Sequence, residues 1–222
     1  MCPVKTRITG MEKAQIKQMI ATQLADPHAV VDLQELLVAV TEREGAHPTE
    51  TELARGASFV CGYIEQVPYL LTVAWTSARN VGLEAEMEVI LEMVQAYWFE
   101  DNDVIPDNLG IVGLLDDAYC TLFCLQALSD LYQMQSGKYL FPDNLTAANN
   151  ILRKIIGEPY ATELDGIVSK TVMSTQVKEA VKLLASPEKQ CLFTNQANIW
   201  NHGPASELLT TQLSGLGLTD DL

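Results

Sequence analysis

The residues of this chain best suited to chemistry are four aspartates in "DVIPDNLGIVGLLDDAY", residues 103–119. Asp103 and Asp107 flank Ile105-Pro106, and Asp116 and Asp117 close an apolar run. Carboxylates are hard oxygen ligands. Together Asp103, Asp107, Asp116 and Asp117 could hold Mg²⁺ or Mn²⁺ and act through it on a phosphate-bearing substrate. A second acidic feature lies upstream, where Glu84, Glu88 and Glu92 recur every four residues. On a helix they share one face, which is either a solvated surface or a docking surface for a basic partner.

Other chemistries find less support. The all-α prenyl synthases bind diphosphate through DDxxD, but here Asp116-Asp117 runs into Ala118-Tyr119-Cys120 and lacks the last ligand. No GxSxG elbow, GxxxxGK[ST] loop or GxGxxG turn occurs. His28, His47 and His202 lie far apart, and His28 by a helix start and His47 in a turn suit capping or surface roles. Cys120 and Cys124 are one helical turn apart and could ligate a soft metal, but Leu122, Phe123 and Leu125 around them favour packing as small hydrophobes. No catalytic residue and no cofactor is assigned, and the chain reads as a non-enzyme.

These residues need a scaffold, and nearly all of it reads helical. Thr9/Glu12 and Thr49/Glu52 are capping boxes. Ile16, Met19, Ile20 and Leu24 form one stripe, and Leu33, Leu36, Leu37 and Val40 another that begins after an Asp26 N-cap and stops near Gly45. Residues 57–78 are apolar nearly all round. Pro68 should kink or divide them, and with Glu65 and Gln66 beside it a pair of core helices is expected over a membrane span. Leu83, Met87, Ile90, Val94 and Tyr97 make a packing seam. Helices are expected over about 109–135, 145–156 and 161–185, the last burying Val168, Val172, Val177, Val181 and Leu184. "ASELLTTQLSG" could add a short one. The expected fold is all-α: a compact multi-helix domain of about seven to nine helices, with a helical hairpin around residues 83–135. Residues 1–186 form a single domain and 187–222 an irregular tail.

With 222 residues and 48% hydrophobic content, the chain can bury a sizeable core. The net charge of −15 argues against direct nucleic-acid binding and favours a basic partner. Residues 80–150 hold twelve acids and one base, Lys138. The opening "MCPVKTRITG" has no apolar run like that of a secretory signal, and the five cysteines show no CxxC pair, so a reducing cytoplasm is expected.

The stretch "DVIPDNLGIVGLLDDAY" resembles the core of the YkvA-like family, the DUF1232 domain of unknown function. The matching residues are Asp103, Ile105, Pro106, Asp107, Gly113, Leu115, Asp116 and Asp117, within about residues 97–128. The family often carries a further proline where this chain has "NLGIV". The resemblance implies a helical hairpin and a bacterial-type setting, implies no reaction, and keeps peripheral membrane association through 57–78 or 104–128 in view.

Physically, Pro106 sets an extended Ile105, Asp107 and Asn108 suit an N-cap, and Gly113 permits close helix approach. Asp116 and Asp117 are harder to place, because a buried carboxylate must be satisfied. Three arrangements could do so: a base from elsewhere (Arg55, Arg79 or Arg153), capping of a neighbouring loop such as 103–107, or a hard cation. The leading expectation is a cytoplasmic acidic helical interaction or regulatory protein. The alternatives are the metal-dependent enzyme and the membrane-associated protein.

Overall fold

The computed structural model describes residues 10–99, 104–140, 144–194, 213 and 216–218, without the side chains of 10–12, 77, 107 and 191–194. The Thr9/Glu12 box, the Asp103 carboxylate, His202 and most of "ASELLTTQLSG" lie outside them. Where the second capping box falls, the fold follows the local code. The Thr49 side chain accepts from Glu52 N–H, and Glu52 Oε2 accepts from Thr49 N–H at 2.7 Å. The bonds that Thr49 N–H and the Thr49 hydroxyl donate to Glu52 Oε2 hold its carboxyl below its usual range. The box opens α3, Glu50–Asn80.

This helix corrects one expectation. Pro68 lies inside α3 and divides nothing: 31 residues run through it as one helix. Proline removes one backbone bond and crowds the preceding turn, a cost of roughly 3 kcal/mol. Packing on both sides offsets that cost. Tyr63, Ile64 and Val67 are buried before the proline, and Leu70, Leu71 and Ala74 after it. Fully burying even one such side chain contributes roughly 1.5–3 kcal/mol.

Before α3 come α1, Gly10–Leu24, and α2, Ala29–Arg43. Ile16 and Ile20 are buried on α1, and Leu33, Leu37 and Val40 on α2, while Leu36 is partly buried. The start of α2 is later than expected. Asp26 Oδ1 accepts from His28 N–H at 2.8 Å, and His28, not Asp26, is the capping position. Gly45, at φ 75°, turns the chain out of α2 in the left-handed conformation that suits glycine.

The expected seam forms α4, Glu84–Gln95, and Leu83, Met87, Ile90, Val94 and Tyr97 are all buried. A 3₁₀ turn, Ala96–Phe99, follows. The next helix starts later than its composition suggests. Residues Asp107–Leu114 form 3₁₀ turns broken at Gly110 (φ 64°, ψ −131°), and α5 spans Leu115–Ser136. Then come α6, Thr146–Ile156, α7, Tyr160–Met173, α8, Thr175–Leu184, and α9, Pro187–Thr194. The single helix expected over 161–185 is thus two. Ser174 (φ −60°, ψ 145°) leaves the helical conformation, and its side chain accepts from Val177 N–H, an N-cap that the apolar stripe concealed. All five residues expected to point inward are nevertheless buried.

The architecture is all-α, with nine α-helices and no strand among the described residues. Helix α5 is the hub and packs against α3, α4, α6, α7 and α8, while α1 and α2 cover α3 and the Asp107–Leu114 turns. Residues 108–136 are apolar enough to cross a membrane by composition, yet 83% of their most apolar window is buried inside the protein. They are apolar because they form the centre of the fold. Leu213, Leu216 and Leu218 also belong to the core. A Cβ built on Gly56 would lie 2.8 Å from Leu216 Cδ1 and 2.7 Å from Leu37 Cδ1, so the absent side chain lets this late segment settle on α3 and α2.

Candidate functional site

The buried positions of a central helix should carry no polar side chain without a task. Helix α5 buries Asp116, Asp117, Thr121, Gln126 and Ser129. Most of them hold the chain segments that flank the helix. Asp116, with 0% exposure, accepts through Oδ2 from Ile105 N–H at 2.8 Å and from the Tyr97 hydroxyl at 3.0 Å. Its Oδ1 accepts from Asp117 N–H at 3.1 Å. The Tyr97 oxygen in turn accepts from Val104 N–H at 3.0 Å. Thr121 accepts from Trp98 Nε1–H at 2.7 Å. Gln126 Oε1 accepts from Leu145 N–H at 2.7 Å, and Ser129 Oγ from Leu140 N–H at 3.1 Å. Side chains of α5 thus take up backbone donors of the loops before and after it.

Of the three arrangements considered for Asp116, the observed one is loop capping. Among the described residues, the three arginines expected as partners of Asp116 are placed elsewhere. Arg153 lies 2.8 Å from Asp165 and 2.8 Å from Glu158, and Arg55 and Arg79 are exposed. Burial pushes the Asp116 carboxyl above its ordinary range, while the bonds from Ile105, Tyr97 and Asp117 pull it back. Asp117 is equally enclosed at 2% exposure, and both acids lie in the first turn of α5, where the helix dipole favours negative charge.

Both Asp116 oxygens therefore already accept hydrogen bonds from protein donors. Among the described residues no group of three or more His, Cys, Asp or Glu side chains is arranged to hold a metal ion. The Asp103 and Asp107 side chains of the expected cluster lie outside that set. Cys120 and Cys124 are buried free thiols. Burial pushes Cys124 up to about 12, and burial together with the charges of Asp116 and Asp117 raises Cys120 still further. Such burial disfavours the thiolate that nucleophilic attack requires. His47 is exposed in the turn before α3.

Sequence reasoning passed over Asp165. Its Oδ1 accepts from the buried Tyr119 hydroxyl at 2.7 Å, and its Oδ2 receives Arg153, which joins α5 to α7 and α6. Its setting among Leu164, Gly166 and Ile167 gave no local signal. Gln95 is a second omission. It is 1% exposed on α4, and neither amide atom has a hydrogen-bond partner among the described residues. An unsatisfied buried polar group costs about 1–3 kcal/mol, and methionine matches glutamine in shape and helix propensity. Gln95→Met should therefore raise the melting temperature by a few degrees, roughly 2–4 °C per kcal/mol in a protein of this size. A lower melting temperature would show that the amide has a bound partner to satisfy.

On the acidic face of α4, Glu84, Glu88 and Glu92 are each partly buried and partly open to solvent. Glu88 acts on Lys13, whose ammonium lies 3.8 Å from the centre of the Trp75 ring and which burial lowers to about 8. Glu86, which escaped the i, i+4 reading, forms an ion pair with Lys189 of α9. Glu92 lies on a groove of about 620 Å³ between α4 and α8. Val89, Met93, Ala180 and Leu183 line it, with Glu86, Glu92 and Glu179 among them.

Fold and site define an all-α domain organised around a polar-studded central helix, with an acidic, apolar-floored groove between α4 and α8. Comparisons with family models, with curated proteins and with solved structures returned no match.

Proposed function

We propose that this is a cytoplasmic helical interaction or regulatory protein, not an enzyme, and that it engages a basic protein partner through the α4–α8 groove. The observation that carries the reading is the groove itself. An open apolar floor set among carboxylates, on a chain of net charge −15, suits a cationic protein surface. The tightly bonded Asp116 supports the non-enzymatic half of the reading, since a carboxylate that already accepts three hydrogen bonds is a poor general base or metal ligand.

The resemblance to the YkvA-like core takes a structural meaning under the same proposal. In this chain the two halves of the motif are tied together, because Asp116 accepts from the N–H just before the proline. The motif is then a loop latch.

The test is recovery of an identified partner by the intact protein. Glu92→Lys with Glu179→Lys should abolish co-purification of a basic protein identified by mass spectrometry and leave the melting temperature within a few degrees. Retention of the same partner by the double variant would overturn the groove assignment. Addition of saturating Mg²⁺ or Mn²⁺ should leave the wild-type melting temperature unchanged. A rise that tracks metal concentration would establish binding by linkage and move the protein to the metal-dependent class.

A further inference from the structure

We propose that the segment the groove receives is a single amphipathic α-helix of about three turns, apolar at i, i+4 and i+7 and bearing Lys or Arg on its flanks. This rests on the reading of the groove as the partner site and adds the form of the ligand. Its two walls are helices of 12 and 10 residues. At about 1.5 Å per residue these walls are roughly 18 and 15 Å long. A helical ligand lying along them would place about three anchors on the floor.

The floor suits side chains from a helix. Val89, Met93, Ala180 and Leu183 are apolar, Leu183 is 52% exposed, and Met93 is pliant enough to adapt to different anchors. Other peptide forms fit less well. Among the described residues no aromatic side chain lines the groove, as a polyproline ligand would need, and no sheet edge is present for an added strand. The charge of the flanks follows from the carboxylates. Among the described residues no ion pair engages Glu92 or Glu179, while Glu86 already carries the ammonium of Lys189. The protein thus seats one of its own cations beside this groove. Lys178 and Lys182, also on α8, are exposed and do not line it.

The experiment measures anisotropy of fluorescein-labelled peptides of about 14 residues with the full chain. One has Leu at i, i+4 and i+7 with Lys on the flanks in an alanine background. The second carries Glu in place of Lys, and the third has prolines in the centre so that no helix can form. The Lys peptide should bind, weaken as salt is raised, and bind roughly tenfold or more less tightly to the Glu92→Lys, Glu179→Lys protein. The Glu and proline peptides should not bind. Equal binding of either control, or indifference to the double variant, overturns the proposal.

A Glu92- and Glu179-dependent partner that co-purifies while the Lys peptide fails to bind overturns the helix form and leaves the proposed function standing. Absence of both overturns the two together. Self-association in sedimentation that the double variant abolishes would assign the groove to a second copy of the chain.

Discussion

Asp116→Ala should lower the melting temperature by roughly 10 °C or more, whereas Asp116→Asn should lower it by only a few degrees. Alanine strands two donors, the part-buried Ile105 N–H and the buried Tyr97 hydroxyl. Each orphaned group costs about 1–3 kcal/mol. Asparagine can place its carbonyl oxygen where Oδ2 stands and keep both bonds, losing only the local one from Asp117 N–H. That graded pattern separates capping from the alternatives, because a metal site or ion pair needs the charge and would treat asparagine as severely as alanine.

The pH dependence carries a second sign. Burial raises the Asp116 carboxyl, so the folded protein binds this proton more tightly than the unfolded chain does. Above the raised value the charged form opposes folding to its full extent. That opposition fades as pH falls through the raised value toward the ordinary carboxylate range of about 4. The stability of the wild type relative to Asp116→Asn should therefore improve on acidification across that window and stay flat above it. The opposite slope, measured by parallel melts, would mean that the hydrogen bonds outweigh burial.

Tyr119→Ala should be the other severe change, at about 3–5 kcal/mol by analogy with the loss of a large aromatic from a core. Tyr119 is among the largest fully buried side chains, and its ring lies 5.4 Å from that of Phe123. Tyr119→Phe separates packing from hydrogen bonding. It keeps the ring and removes the 2.7 Å bond to Asp165, which should cost about 1.5–3 kcal/mol at most, since the acceptor is charged and partly exposed. Denaturant melts of the two variants give both numbers. If phenylalanine proved as damaging as alanine, the Tyr119–Asp165–Arg153 chain rather than the core would be what joins α5 to α7.

Local physics was legible in the sequence because it acts over about four residues. The Thr49/Glu52 box, the α4 seam from Leu83 to Tyr97 and the glycine after α2 could be read directly, since a capping oxygen, a helical period and a positive-φ turn are all set by near neighbours. The sequence also determined that the first turn of α5 would be a problem, because two carboxylates among apolar residues must find partners wherever the chain puts them. It did not determine which partners. Tyr97 stands 19 residues before Asp116, and Asp165 stands 46 after Tyr119.

Continuity of α3 through Pro68 was equally hidden, since a proline's local cost is visible in the sequence and the packing that overcomes it is not. Ser174 shows the reverse case, a local cap masked by a stripe that stayed in phase on both sides of the break. The groove is the clearest tertiary product. Glu92 was visible as one of three spaced acids, but only the packing of α4 against α8 sets Glu179 and Leu183 around the same cavity and turns Glu86 toward Lys189. Helices follow from hydrogen bonds between near neighbours. Sites follow from which helical faces meet, and that is decided by burying the whole core at once.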